Sequence, residues 1–403
     1  MRPEMFQPDN PMGRLVRASF DRLRFVGGIP ETQAEQGWAF IPNPLPSLDD
    51  LMPVLASFMA KHEQAVALLG RLDGSFQDHP GRLNISPWVL YRPLRLREAR
   101  LSSKIENTIA SASEIEVANL LRLERSEPLE VRNYITAIDR AVGQEGPLSE
   151  MRIRALHEAL LDGVEGGERK FPGQYRPNQV MIGDDGDSFA EARFVPPPAG
   201  EVPALMRDLV KFMREPPAGM PVLIAAALAH YQFETIHPFA DGNGRLGRML
   251  ITLSLCDGTI LSKPLIYPSG YINQHKQQYY DLLLRVSTHG DWAAWINYFL
   301  DVVISEGQGT IDRIKRLLAL RQAFIDRFQD KNLGIAFYNQ IDYLFEQSVV
   351  TVNMIHERIG GTKQTARNYV DLLVERGVLA KGVQRGAEVY YFAPEIHQVA
   401  DED

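Results

Sequence analysis

The sequence predicts a mainly α protein organised in three parts, and three observations carry that reading. Apolar residues recur at i, i+3 and i+4 through most segments from Leu48 onward, the signature of amphipathic helices. The one β-like piece inside that helical stretch, "QVMIG", is short and lies in a long loop. The C-terminal part then changes to a short helix, a Gly turn, a second helix and two short strands, a winged-helix pattern. A chain of 403 residues exceeds one compact core, so two or three domains are expected. Their bounds are 1–145 for an N-terminal helical region, 146–310 for a core and 311–403 for a helical linker with the winged helix.

Residues 1–47 are expected to be irregular, because Pro3, Pro8, Pro11, Pro30, Pro42, Pro44 and Pro46 interrupt them. A helical pattern runs from Leu48 to Leu72. After the loop "DGSFQDHPGRLNIS", Pro87 opens a second helical segment that contains "LREARLSSKIENTIAS" and leads to more helical pattern from Ala112 to Gly143. "LSEMRIRALHEALLDGV" is the next helix, followed by a Gly-, Pro- and Asp-rich loop that reaches "FVPPP". Two helices flank "FETIHPFADGNGRLGRML", and further helices continue to "AFIDRF". The net charge of −8 argues against a general nucleic-acid coat. The single cysteine, Cys256, rules out an internal disulfide, fits a reducing compartment and reads as a core thiol. The N-terminus lacks the apolar stretch of a secretory signal, and no apolar run approaches the roughly 20 residues of a membrane helix. A cytoplasmic protein with no membrane partner is expected.

The loop at 237–248 carries the chemistry. Backbone N–H groups at a helix N-terminus are unsatisfied and attract phosphates. Gly242 and Gly244 permit a sharp turn and a close approach of backbone to ligand. Arg245 and Arg248 lie three apart on one helix face, and their forks suit phosphate oxygens. Cations are unfavourable at a helix N-terminus, so a compensating anion is expected there. Asp241 offers a hard oxygen to Mg²⁺, the usual companion of a nucleotide polyphosphate. His237 is placed to act as a general base near neutral pH.

"HPFADGNGRLGR" resembles the signature of the Fic family, H-P-F-x-D-G-N-G-R-x-x-R, with every fixed position present. The similarity covers roughly residues 40–305. It implies transfer of AMP from ATP to a hydroxyl side chain (Ser, Thr or Tyr) of a target protein or of the protein itself. In that resemblance His237 deprotonates the hydroxyl and Phe239 anchors the loop. Asp241 holds Mg²⁺ on the phosphates, Gly242, Asn243 and Gly244 form the anion hole, and Arg245 and Arg248 hold the β- and γ-phosphates. Gly at 244, where a phosphate-transferring branch carries Lys, favours AMP transfer. "NQVMIG" looks like the family's flap, a hairpin in which Val180, Met181 and Ile182 position the target segment by strand addition. Tyr279 and Tyr280 lie where relatives place aromatic residues near the adenine.

Ser102 and Glu106, spaced i, i+4, share one helix face. With Asn107 they match the family's inhibitory motif, in which the Glu pairs with the second Arg of the signature, here Arg248. The winged-helix pattern has two readings: Lys363, Gln364, Thr365, Arg367 and Asn368 enter a DNA groove with Lys381 and Arg385 on phosphates, or, since Glu357, Asp371, Glu375 and Glu388 dilute that patch, the module serves protein interaction or dimerisation. The function expected is Mg²⁺- and ATP-dependent protein AMPylation restrained by Glu106. A DNA-binding regulator whose core senses nucleotide, or an AMP-removing enzyme, is the alternative. The sequence leaves a homodimer open.

Overall fold

The computed structural model describes residues 1–7, 10–26, 29–77, 88–108, 127–143, 146–164, 166–184, 187–258 and 260–402. It opens with two antiparallel strands, β1 (Gly13–Val26) and β2 (Ile29–Pro42), paired from Gly13↔Pro42 to Val26↔Ile29. This overturns the expectation of an irregular N-terminus. Of the described prolines, Pro30 and Pro42 sit at or near the ladder's ends and Pro3, Pro11, Pro44 and Pro46 outside it, while "RLVRASFDRLRFV" supplies the β-branched and aromatic residues a strand favours. At the base of the ribbon a Cβ on Gly13 would stand 2.3 Å from the Ile41 carbonyl oxygen, so only glycine fits the crossing.

Helices then follow: α1 (Leu48–Leu55), α2 (Met59–Gln77), α3 (Trp88–Ile105), α4 (Glu127–Gly143), α5 (Glu150–Leu161), α6 (Val202–Arg214), α7 (Val222–Ile236) and α8 (Asn243–Asp257). After them come α9 (Ser269–Gln274), α10 (Lys276–His289) and the 35-residue α11 (Trp292–Asp326). Ser47 starts α1 through a capping box with Asp50, each side chain taking the other's backbone N–H. Of the expected helix from Ala112 to Gly143, residues 112–126 lie outside the described residues, and α4 is its remainder.

The helix α7, "VLIAAALAHYQFETI", has apolar residues all round and is accordingly buried on both sides. Leu223, Ala227 and Tyr231 face a core with Trp295, Phe299 and Tyr279. Ala229, Phe233 and Ile236 face a second core with Tyr134, Leu156, Phe239 and Leu246. The loop leaving α7 is thus fixed between two packed layers before any polar contact is counted.

The C-terminal part comprises α12 (Ile335–Glu346), β3 (Val349–Thr351), α13 (Val352–Ile359), α14 (Lys363–Glu375), β4 (Ala380–Arg385), β5 (Glu388–Phe392) and α15 (Pro394–Asp401). Its strands form one antiparallel sheet in the order β3-β5-β4. Residue 310, where a domain boundary was expected, lies within the unbroken α11. The helix α3 packs against α4, α8, α9 and α11 of the preceding part and against α12 and α15 of the C-terminal part. Among the described residues no helix is long and apolar enough to cross a membrane. Cys256 is half-buried, and burial pushes its thiol up to about 12, which leaves it inert.

Candidate active site

His237 caps α7 in the left-handed region, φ 49° and ψ 63°, and turns the chain away from the helix axis. Its carbonyl accepts Arg176 Nε at 2.8 Å. The same guanidinium donates to the carbonyls of Asn178 at 3.0 Å and Pro197 at 2.6 Å, so Arg176 ties the loop before 180 and the "FVPPP" segment to the signature. The ring Nδ1 of His237 faces the Glu234 carbonyl at 3.3 Å. A carbonyl only accepts, so the proton lies on Nδ1 and Nε2 keeps its lone pair. Burial, with the Arg176 charge, lowers His237 to about 4, so the imidazole is neutral at pH 7 and its Nε2 lone pair is unoccupied.

The loop's remaining polar groups are mostly spent on its own shape. Asn243 closes a ring with Phe239, accepting its N–H and donating to its carbonyl, both at 2.9 Å. The Asn243 side chain is therefore a brace, and only its backbone N–H is available to an anion. Phe239 is fully buried and stacks on His157 with centroids 3.8 Å apart. His157 accepts Gly173 N–H at Nδ1 and faces the Asp241 carbonyl with Nε2 at 2.9 Å, which makes Nε2 the protonated nitrogen. At Gly242, φ is 79°, a conformation other side chains seldom adopt, and no side chain caps the N-terminus of α8.

Both arginines are buried, and the anions that compensate them are the protein's own. Arg245 donates to Glu130 Oε2 of α4 at 2.6 Å and lies 3.5 Å from Asp241 Oδ1. Asp241 also accepts Lys170 Nζ at 2.5 Å. Burial works against its charge, but Arg245 and Lys170 hold its carboxyl below the ordinary range. Arg248, 1% exposed, reaches α3: Nε donates to Ser102 Oγ at 2.9 Å and Nη2 to the Ser102 carbonyl at 2.8 Å and Glu106 Oε1 at 2.9 Å. Burial opposes the Arg248 charge, yet Glu106 carries its pKa upward. Glu106 follows the last residue of α3, and Asn107 takes φ 64° to turn the chain there. Lys276 Nζ caps the same end by donating to the Ile105 carbonyl at 2.5 Å. Gly244 makes room for this contact, because a Cβ there would stand 2.2 Å from Glu106 Oε1.

Elsewhere the expectations divide. Val180, Met181 and Ile182 are half-buried, and among the described residues the expected hairpin shows one bridge, Ile182↔Phe194, with N···O distances of 2.8 and 3.0 Å. Phe40 of β2 extends it by donating to the Val195 carbonyl at 3.0 Å. Tyr279 is 1% exposed, bonds His230 Nε2 through its hydroxyl at 2.9 Å and packs on Trp295. Its adenine contact is corrected: a ring enclosed in the core offers no face to a base. Tyr280 is half-buried, with Arg193 and Lys276 over its ring. Sequence reasoning missed Glu130, Arg176 and His157. Only His157 carried a signal, as a polar residue on the apolar stripe of α5 with Ile153 and Leu160.

Two stretches of the chain match known families. Residues 147–255 match the Fic/DOC family, and residues 59–143 match the Fic/DOC family N-terminal domain. "Protein adenylyltransferase Fic" of Drosophila ananassae is 30% identical over 182 residues, 44% of this chain and 32% of that protein. The protein of the same name from Aedes aegypti is 32% identical over 154 residues, 37% of this chain and 26% of that protein. The chain thus spans about a third or less of the length of these curated relatives. A solved Fic family protein from Desulfovibrio desulfuricans G20 aligns with a TM-score of 0.48 and 24% identity, covering 81% of this chain and 95% of that one. The signature loop, braced from within, thus lies in the stretch that matches the Fic/DOC family, and α3 and α4 lie in the stretch that matches the family's N-terminal part.

Proposed function

We propose that the protein transfers AMP from ATP to a hydroxyl of a protein side chain and that Glu106 holds this activity down. One observation supports this reading above the others: the neutral His237 stands beside a helix N-terminus whose Arg248 is already paired with a carboxylate at 2.9 Å. His237 Nε2 takes the hydroxyl proton, the freed oxygen attacks the α-phosphorus, and the bond to the β-phosphate breaks to release pyrophosphate. The uncapped N–H groups of α8 and the guanidinium of Arg248 receive the phosphates. Relatives named protein adenylyltransferase support the same chemistry.

Among the described residues no group of three or more His, Cys, Asp or Glu could cage a metal alone. The lone half-exposed Asp241 nevertheless fits Mg²⁺, which commonly binds through one carboxylate plus substrate phosphates and water. Bound there, Mg²⁺ would neutralise phosphate charge, and Lys170 would have to give up its hold on Asp241. Val180, Met181 and Ile182 would align the target segment.

The restraint follows from competition. A guanidinium fork pairs with one carboxylate or one phosphate on a given edge, and misplacement of about 1 Å can cost roughly 10²-fold in rate. The test is the initial rate of incorporation from α-labelled ATP. Glu106→Gly should raise it by roughly 10²-fold, and Glu106→Gly with Arg248→Ala should lose that gain. A Glu106→Gly rate at or below wild type would remove the restraint.

The exposed start of α14 supports a second, separate reading of the C-terminal part as a winged helix that binds DNA. Lys363, Gln364, Arg367 and Asn368 are exposed there, with Lys381 exposed on β4.

A further inference from the structure

Glu234 lies one helical turn before His237, and the mechanism above gives it no task. Its carboxyl packs over Gly247 of α8, where a Cβ would stand 2.2 Å from Oε1. That oxygen is buried with no hydrogen-bond partner among the described residues. The groups of charge or titration that face it are Arg248 from α8, Glu106 at the end of α3, and the phenols of Tyr279 and Tyr280 from α10. A buried carboxyl with a spare oxygen beside an arginine is costly as mere filling.

We propose that Glu234 is a positioning residue, a second carboxyl beside the Arg248 guanidinium, which keeps that side chain in place when Glu106 withdraws. The inference rests on Arg248 being the phosphate ligand. Arg248 is 1% exposed, so losing Glu106 would leave a buried cation without its partner. Glu234 faces Arg248 from α7 without bonding it while Glu106 holds the guanidinium, and its carboxyl, packed over the neighbouring Gly247, can take over the charge. A phosphate on Arg248 reverses the demand: two anions then face one cation, and Glu234 becomes the group that accepts a proton. With Glu106 in place, burial and the Glu106 charge raise Glu234 to about 8. Removing Glu106 lowers it, and an arriving phosphate raises it again. Nucleotide binding to the Glu106→Gly protein therefore takes up a proton at Glu234, in a window that opens below pH 8 and closes at the raised value.

The experiment is equilibrium binding of ATP to the full-length Glu106→Gly protein between pH 7 and 9, where phosphates, whose last proton leaves near pH ~6, are already ionised. The dissociation constant should rise by up to tenfold per pH unit in that window, the slope of one linked proton. Adding Glu234→Gln, which is permanently neutral, should flatten the curve. Calorimetry of the Glu106→Gly protein in two buffers of different ionisation heat should report uptake of close to one proton, with no substitution at 234 required. Equal slopes with and without Glu234→Gln, or binding without proton uptake, would overturn the inference. Undiminished ATP affinity in Glu106→Gly with Arg248→Ala would instead remove the underlying assignment of Arg248.

Discussion

Two helix–glycine–helix corners in this molecule are built from similar parts and finished in opposite ways. Between α7 and α8 the turn passes through His237 at positive φ and Gly242, and nearly every polar side chain is tied inward, Asn243 to Phe239, Arg245 to Glu130 and Arg248 to α3. Between α13 and α14 the turn passes through Gly360, and Thr362 caps the next helix by accepting the Thr365 N–H. There the following Lys363, Gln364, Arg367 and Asn368 point to solvent. The buried corner spends hydrogen bonds to hold one geometry for chemistry, whereas the exposed corner is held by its cap and its apolar side, Ala366, Val370 and Leu373. Function at the first is sensitive to structure, and at the second the surface can change without the fold noticing.

Three variants sharpen that contrast. The largest effect is expected from His237→Ala, which should lower AMP transfer about 10²–10⁴-fold while leaving ATP affinity nearly unchanged. Matched transfer rates and binding curves check this, and transfer near wild type would sink the base. Next comes Asn243→Ala, which removes the brace and strands two buried backbone groups of Phe239. A loss of roughly 1–3 kcal/mol in stability is expected, read as a lower denaturant midpoint together with weaker transfer. Smallest is Lys363→Ala with Arg367→Ala. Stability should move by no more than about 0.5 kcal/mol and transfer not at all, yet any DNA retardation at low salt should weaken. A melting shift of several degrees in that variant would break the comparison.

The buried corner was largely legible in the sequence because its residues are contiguous. Gly242, Asn243, Gly244, Arg245 and Arg248 announce a helix N-terminus and an anion together, and Ser102 with Glu106 is a local i, i+4 pair that the fold carries onto Arg248. What the sequence hid was partnership at long range. Glu130 is an ordinary helix carboxylate until α4 meets α8, and Arg176 is one loop arginine among several until its three donors find His237, Asn178 and Pro197. The N-terminal ribbon was hidden differently. Counting prolines masked the alternation between them, and the ladder from Gly13↔Pro42 places those prolines where they do no harm.

The position of α3 bears on how this protein is assayed. The helix that offers Ser102 to Arg248 is also the wall shared with the C-terminal part, through Arg100 on Asp401 and a narrow cleft lined by Pro93, Leu96, Phe345 and Ile396. Arg97, on the same helix, bonds Glu306 of α11 at 3.3 Å. A shortened chain ending near residue 334 keeps every residue of the signature yet leaves one flank of α3 open to water. Its turnover would describe an α3 stripped of α12 and α15, and is expected to differ from that of the whole chain.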